Sequence, residues 1–205
     1  MLDANQLLGE AKKITGLSFL GNPLFEEGFN KLVYSINNEA DLNDIGIQAQ
    51  HHRLIGVLSN MLRIEDAVIN HPEILNEQIV APIVIVGLPR TGSTMTHRLL
   101  AADPRHTAML WWEGRYPAML PNEERGNPSE RMALGKAEVD AVVAASPEAL
   151  TIHPWDYKGA DEEILLLEHT FFSTVPESFM RLPSYSSWVE DQDHIHAYNQ
   201  LKIMS

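Results

Sequence analysis

Apolar positions in the first third of the chain recur at intervals of three and four. Leu7, Leu8, Ala11 and Ile14 form one stripe, and Phe25, Phe29, Leu32, Val33 and Ile36 a second. Ile47, Leu54, Val57, Leu58, Met61 and Leu62 form a third. This period predicts amphipathic helices from residue 4 to about residue 76, with the stripes packed as a core. Gly16 is the expected stop of the first helix, and Asn22-Pro23 marks a turn.

The texture changes at Ala81-Pro82. Ile83-Val84-Ile85-Val86 is apolar at every position, where a strand with one wet face would alternate. It reads as a central strand of a parallel sheet, buried on both faces. A loop bounded by Gly87 and Gly92 follows at once, then a helix over Ser93–Ala101, closed by Asp103-Pro104.

Residues 118–127 read as a loop. Asn127-Pro128-Ser129-Glu130 predicts a helix start, with Asn as cap and Pro in the first turn, running to Ala145. Another helix is expected from Asp161-Glu162-Glu163 to about Phe172, and a last one from Tyr185 towards the end. Only one buried parallel strand emerges, and a parallel sheet needs several. The expected fold class is therefore α/β: a P-loop-like, three-layer parallel sheet flanked by helices, incomplete in this chain, with a largely helical amino-terminal region. The expected division is residues 1–80 for that region and 81–205 for the partial P-loop-like domain.

Composition narrows the function. With 205 residues, 44% hydrophobic and 21% charged, the chain has the balance of a globular protein with a sizeable core. Its formal net charge of −13, without a basic run, argues against nucleic acid and against an anionic membrane surface. An anionic ligand must be held by local donors. There is no cysteine, which removes disulfides, thiolate metal sites and a thiol nucleophile. No signal-like leader and no run of about 18 apolar residues is seen, so the expectation is a cytoplasmic protein without membrane insertion. His194 and His196 lack a third ligand at a sensible spacing, so no metal is expected. Nothing in the sequence fixes an oligomeric state.

Gly87-Leu88-Pro89-Arg90-Thr91-Gly92-Ser93-Thr94 carries the chemistry. A strand, a glycine-bounded loop and a helix start form an anion trap, because loop N–H groups and the helix terminus point at the ligand. Gly87 lets the chain leave the strand sharply, and Gly92 lets backbone approach a phosphate. Ser93 and Thr94 add hydroxyls. The spacing matches the nucleotide-triphosphatase loop G-x-x-x-x-G-K-[ST], but Ser93 replaces its lysine and a basic residue stands inside the loop, at Arg90. The lysine normally reaches the terminal phosphates, so its loss argues against metal-assisted triphosphate hydrolysis. A merely structural turn is the alternative reading of the glycines.

Residues 82–94 resemble the 5′-phosphosulfate loop of bacterial-type sulfotransferases, in which Pro-Arg-Thr-Gly-Thr-Thr is usual and Ser93 keeps a hydroxyl. His97-Arg98-Leu99-Leu100-Ala101-Ala102-Asp103-Pro104, Arg63-Ile64-Glu65-Asp66 and His71-Pro72-Glu73-Ile74 extend the resemblance across the chain. It implies 3′-phosphoadenosine 5′-phosphosulfate as co-substrate, bound by Pro89, Arg90, Thr91, Gly92, Ser93 and Thr94. It implies a hydroxyl of a small-molecule, lipid-like or carbohydrate acceptor as partner. Arg90 and the loop amides would position the donor and stabilise charge. An acidic residue before the helix that follows belongs to the family's acceptor site, and the spacing to Leu-Leu-x-His-Thr-Phe points to Glu162 as base. The competing reading is that Asp161, Glu162 and Glu163 simply cap that helix. His153 and His97 are lesser base candidates. Trp111-Trp112-Glu113 and Tyr116-Pro117 are expected either to line the acceptor cavity or to be core aromatics.

The family also carries a later strand and helix whose Arg and Ser hold the donor's 3′-phosphate. Nothing in residues 105–205 fits it; Arg181-Leu182-Pro183-Ser184 has the residues without a preceding strand. The chain is thus expected to resemble the amino-terminal part of a sulfotransferase. Three readings follow: a sulfotransferase, a catalytically inactive fragment that keeps only the 5′-phosphosulfate loop, or a divergent P-loop kinase, which the missing lysine disfavours.

Overall fold

The structure, a computed structural model, describes residues 1–88 and 91–205. The helices are α1 (Ala4–Thr15), α2 (Pro23–Glu39), α3 (Asp44–Asn70), α4 (Ser93–Ala101), α5 (Trp111–Arg115), α6 (Ser129–Ala145), α7 (Ala149–Ile152), α8 (Ile164–Leu167), α9 (Pro183–Glu190) and α10 (Ile195–Met204). Short 3-10 turns occupy Pro72–Asn76, Glu168–Thr170 and Val175–Ser178. About 62% of the described residues are helical, the 3-10 turns included. The chain divides into two compact units, Met1–Glu77 with Leu166–Met204, and Gln78–Leu165 with Ser205.

In the first unit each long helix begins on a side chain that accepts from its first turn. Asp3 Oδ1 takes the Gln6 N–H (2.8 Å), Asn22 Oδ1 that of Leu24 (2.9 Å) and Asn43 Oδ1 that of Gly46 (2.9 Å). Gly16, at φ +73°, ends α1 in the left-handed conformation open to glycine, as its position predicts. Phe25, Phe29, Leu32, Val33 and Ile36 are buried, as are Leu54, Val57, Leu58, Met61 and Leu62. Ile14 departs from its predicted stripe and lies exposed.

The core of this unit is completed from the far end of the sequence. Phe171 and Phe172 meet the rings of Phe29 and Phe25 at 5.1 and 6.1 Å, and Leu182, Tyr185 and Val189 are buried with them. Residues 166–204 therefore cluster with the amino-terminal helices rather than with the loop-bearing segment from which the sequence pattern continues them. The helix expected over 161–172 is only one α turn and one 3-10 turn. Thr170 breaks it: its hydroxyl donates to Leu167 O (2.7 Å) and accepts from Phe172 N (3.2 Å), diverting the main chain, and Phe171 turns to φ +59°. The expected last helix is likewise two, restarted where Asp193 Oδ1 accepts from Ile195 N (3.0 Å).

In the second unit α5 packs on α6. A Cβ at Gly135 would lie 2.7 Å from the Trp112 Cβ, so the helices touch only because that position has no side chain. Arg131 stacks on the Trp112 ring (5.0 Å) and pairs with Glu123 (2.8 Å), while Arg115 pairs with Glu138 (2.9 Å). α6 spans the expected residues, but Pro128 rather than Asn127 holds the cap position, without a side-chain cap bond.

The expected central strand does not form. Among the described residues there is no sheet, and the only pairing of this kind is an isolated antiparallel bridge between Leu110 and Ala160. Ile83, Val84 and Val86 are 60%, 73% and 90% exposed. The reason is physical: a strand's N–H and C=O groups need a neighbouring strand, and its two apolar faces need covering helices. The incompleteness expected of the sheet thus extends to its first strand.

Candidate functional site

The site lies within the second unit. Gly92 turns the chain at φ +93°, where a side chain would be strained, and caps the start of α4. The Thr91 hydroxyl donates to Leu88 O at 2.6 Å, and a Cβ at Gly87 would touch that hydroxyl at 3.0 Å. Pro89 and Arg90, both expected to hold the donor, lie outside the described residues. Ser93 and Thr94 open α4, where first-turn N–H groups have no intrahelical acceptor and the helix dipole is positive. A cavity of about 550 Å³ opens here, lined by Gly92, Ser93, Thr94 and Arg98 and, from the other side, by Ile152 and Pro154.

Glu162 joins this helix start. Thr94 Oγ1 donates to Glu162 Oε1 at 3.1 Å, so two residues 68 apart in sequence meet at the loop. Glu163, by contrast, is exposed. Asp161 supports Glu162 from behind: it is 5% exposed, and its Oδ1 accepts the Glu162 N–H at 2.8 Å. Its Oδ2 lies 2.9 Å from His153 Nε2, and because a carboxylate accepts, that nitrogen carries the proton. His153 also meets the Trp155 ring edge-on at 5.4 Å. The expected capping role of Asp161-Glu162-Glu163 reduces to the Asp161 contact, since α8 is a single turn.

Sequence reasoning gave Arg98 no role, and the structure gives it two contacts. Its Nη2 donates to Pro154 O (2.7 Å) and its Nε to Ala160 O (3.3 Å), so it ties α4 to the segment that carries His153 and Glu162. Among the described residues no carboxylate pairs with it, which leaves a positive charge at the cavity wall. Its signal in the sequence is its spacing, one helical turn after Thr94 and so on the same face.

Other candidates lie elsewhere. His97 is on α4 and partly exposed. Trp111 and Trp112 are buried, Trp111 packs against Trp155 at 6.1 Å, and neither lines the cavity at α4. Tyr116 donates to Glu138 Oε2 (3.1 Å), and burial beside that carboxylate pushes its phenol up to about 12. Ser184 is committed to Glu39: its N–H and hydroxyl both donate to that carboxylate and lower its pKa from the ordinary value. Arg181-Leu182-Pro183-Ser184 is therefore a helix start in the first unit's packing. His194 Nε2 lies 2.9 Å from Val189 O, and among the described residues no three acidic or histidine side chains gather as a metal site. No helix among the described residues is long and apolar enough to cross a membrane.

An apolar run, a glycine turn, paired hydroxyls and a facing carboxylate thus lie together at the start of α4. The chain belongs to the sulfotransferase family, whose profile matches residues 82–204. Two solved structures are similar to nearly all of it. Sulfotransferase STF1 from Mycobacterium tuberculosis H37Rv is 28% identical with a TM-score of 0.81, over 99% of this chain and 56% of that one. Sulfotransferase STF9 from Mycobacterium avium shares the fold, at 24% identity and a TM-score of 0.82, over 100% of this chain and 53% of that one. The chain thus spans little more than half the length of these structures. None of the curated proteins matches it.

Proposed function

We propose that residues 87–94 and the start of α4 cradle the 5′-phosphosulfate of 3′-phosphoadenosine 5′-phosphosulfate, and that this stretch of chain by itself binds the donor weakly and does not turn it over. The observation behind this reading is the Thr94–Glu162 hydrogen bond, which brings the expected base to the helix start at the loop's end. The residues suit an anion: a Cβ-free backbone at Gly92, hydroxyls at Ser93 and Thr94, and an Arg98 without a carboxylate partner among the described residues. In the complete reaction the acceptor oxygen bonds to sulfur while the bond from sulfur to the bridging phosphate oxygen breaks, its electron pair leaving with the nucleotide. The acceptor proton passes to Glu162. Arg90, by its place in the loop, would stabilise charge on the bridging oxygen. The acceptor class is a hydroxyl of a small metabolite, lipid-like molecule or carbohydrate.

The absence of turnover rests on a separate observation. Ile83, Val84 and Val86, in the run that should fix the loop's base within a sheet, are exposed, and the run is unpaired among the described residues. A loop anchored on one side loses much of the preorganisation on which transfer depends. Calorimetry of the purified chain with 3′-phosphoadenosine 5′-phosphate, and with ATP plus magnesium, tests the binding claim. Weak binding of the former and none of the latter is expected; preference for ATP with magnesium sinks it. Release of 3′-phosphoadenosine 5′-phosphate from the donor above the uncatalysed rate, in the presence of a panel of hydroxyl acceptors, would overturn the second claim.

A further inference from the structure

The Thr94 hydroxyl has one proton to give, and in the structure it goes to Glu162 Oε1. A phosphate or sulfate oxygen is also an acceptor and also anionic. Thr94 cannot donate fully to both, and two like charges at that range repel. The side chain of Glu162 is half-buried, with solvent to move into, but its main chain is fixed. The Glu162 N–H is bound by Asp161 Oδ1 (2.8 Å), and Asp161 is held at its other oxygen by His153 (2.9 Å). Its own N–H donates to Met109 O (3.0 Å), beside the Leu110–Ala160 bridge. The carboxylate can therefore leave Thr94 by side-chain torsion while the residue stays in place.

We propose that Thr94 Oγ1 is contested between the Glu162 carboxylate and the donor's anion, and that Asp161 and His153 are positioning residues that hold the Glu162 main chain while its carboxylate swings from Thr94 towards the acceptor hydroxyl. The inference rests on the donor reading above. Its consequence is coupling: donor binding itself frees the base.

The test is calorimetry on the purified chain with two probes, 3′-phosphoadenosine 5′-phosphate and inorganic sulfate. Glu162→Gln removes the competing charge and should bind either probe about fivefold more tightly. Thr94→Val removes the contested donor and should weaken both. Asp161→Ala lets the Glu162 main chain drift, so the gain from Glu162→Gln should vanish in that background. Asp161→Asn keeps an oxygen for the Glu162 N–H and should restore the gain. His153→Ala should diminish it, and serves where Asp161→Ala does not fold. A purely structural role would lower the melting temperature and leave the Glu162→Gln ratio unchanged. Equal or weaker binding of both probes by Glu162→Gln overturns the competition. A gain undiminished in Asp161→Ala or His153→Ala overturns the positioning role. Tighter sulfate binding with no nucleotide binding sinks the donor reading and leaves the coupling intact, whereas nucleotide binding indifferent to Glu162→Gln does the reverse.

Discussion

The Tyr185 hydroxyl lies 2.9 Å from Phe171 O and 3.1 Å from Ser173 O, so one buried phenol serves both carbonyls of the chain reversal that follows Thr170. Tyr185 is fully buried, and desolvation pushes its phenol well above the ordinary tyrosine value, which keeps the donating proton in place. Tyr185→Phe should cost about 1–3 kcal/mol, because two carbonyls lose their donor while the ring packing remains. Urea unfolding with an unchanged slope and a lowered midpoint is the expected result.

Gly28 faces the same reversal. A Cβ there would lie 2.9 Å from Phe171 O and 3.1 Å from both Phe171 Cβ and Trp188 Cη2. The nearest atom is backbone and cannot step aside cheaply. Gly28→Ala should therefore destabilise by about 1–3 kcal/mol, despite alanine's better helix propensity. Thermal melting of the two chains side by side checks it; a stabilised variant would mean that α2 and the reversal are not in this contact.

How far the sequence could be read follows from these residues. The stripes of α2 and α3 were legible because a 3.6-residue period is local and the residues on it had one face to fill. The reversal at Phe171 was not: a phenylalanine at φ +59° contradicts every local preference, and it is held by Thr170 and by Tyr185, fourteen residues on. Ile83–Val86 was read correctly as an apolar run and wrongly as a buried strand, because burial belongs to neighbours that pattern does not reveal. At the site, Gly92 and the two hydroxyls were visible from spacing. Glu162 came only through family resemblance, since no periodicity links it to Thr94. Asp161, one of three acids that a helix start would equally explain, accepts the Glu162 N–H instead of one from α8.

Glu65 gives a pH-dependent test. Gln200 Nε2 donates to it at 3.0 Å, but burial outweighs that bond and raises its carboxyl above the ordinary value of 4.5. A raised carboxyl binds its proton more tightly in the fold than in the unfolded chain. Its contribution is thus most favourable below the ordinary value and is lost as pH rises through the raised one. Glu65→Gln, which keeps an oxygen for Gln200, should raise the melting temperature at pH 7 and leave it nearly unchanged at pH 4. A larger gain at pH 4 would contradict the assignment.

Arg98 and Gly159 form a pair whose energetics can be separated. A Cβ at Gly159 would lie 2.8 Å from Arg98 Nη2 and 3.2 Å from Asp156 Cβ. The guanidinium must then move, and with it the bonds to Pro154 O and Ala160 O that tie α4 to the Glu162 segment. Arg98→Ala should cost about 1–3 kcal/mol, in the range of hydrogen bonds from a charged group. Arg98→Lys should recover little, because an ammonium lacks the planar fork that spans two carbonyls. Gly159→Ala should cost less, about 1 kcal/mol, since the displaced atoms are the end of a long side chain. In the Arg98→Ala background that cost should largely disappear, as the obstructing group is gone. A double-mutant cycle on unfolding free energies measures this directly. Strict additivity would show that Gly159 is required for its own backbone rather than for the arginine it admits.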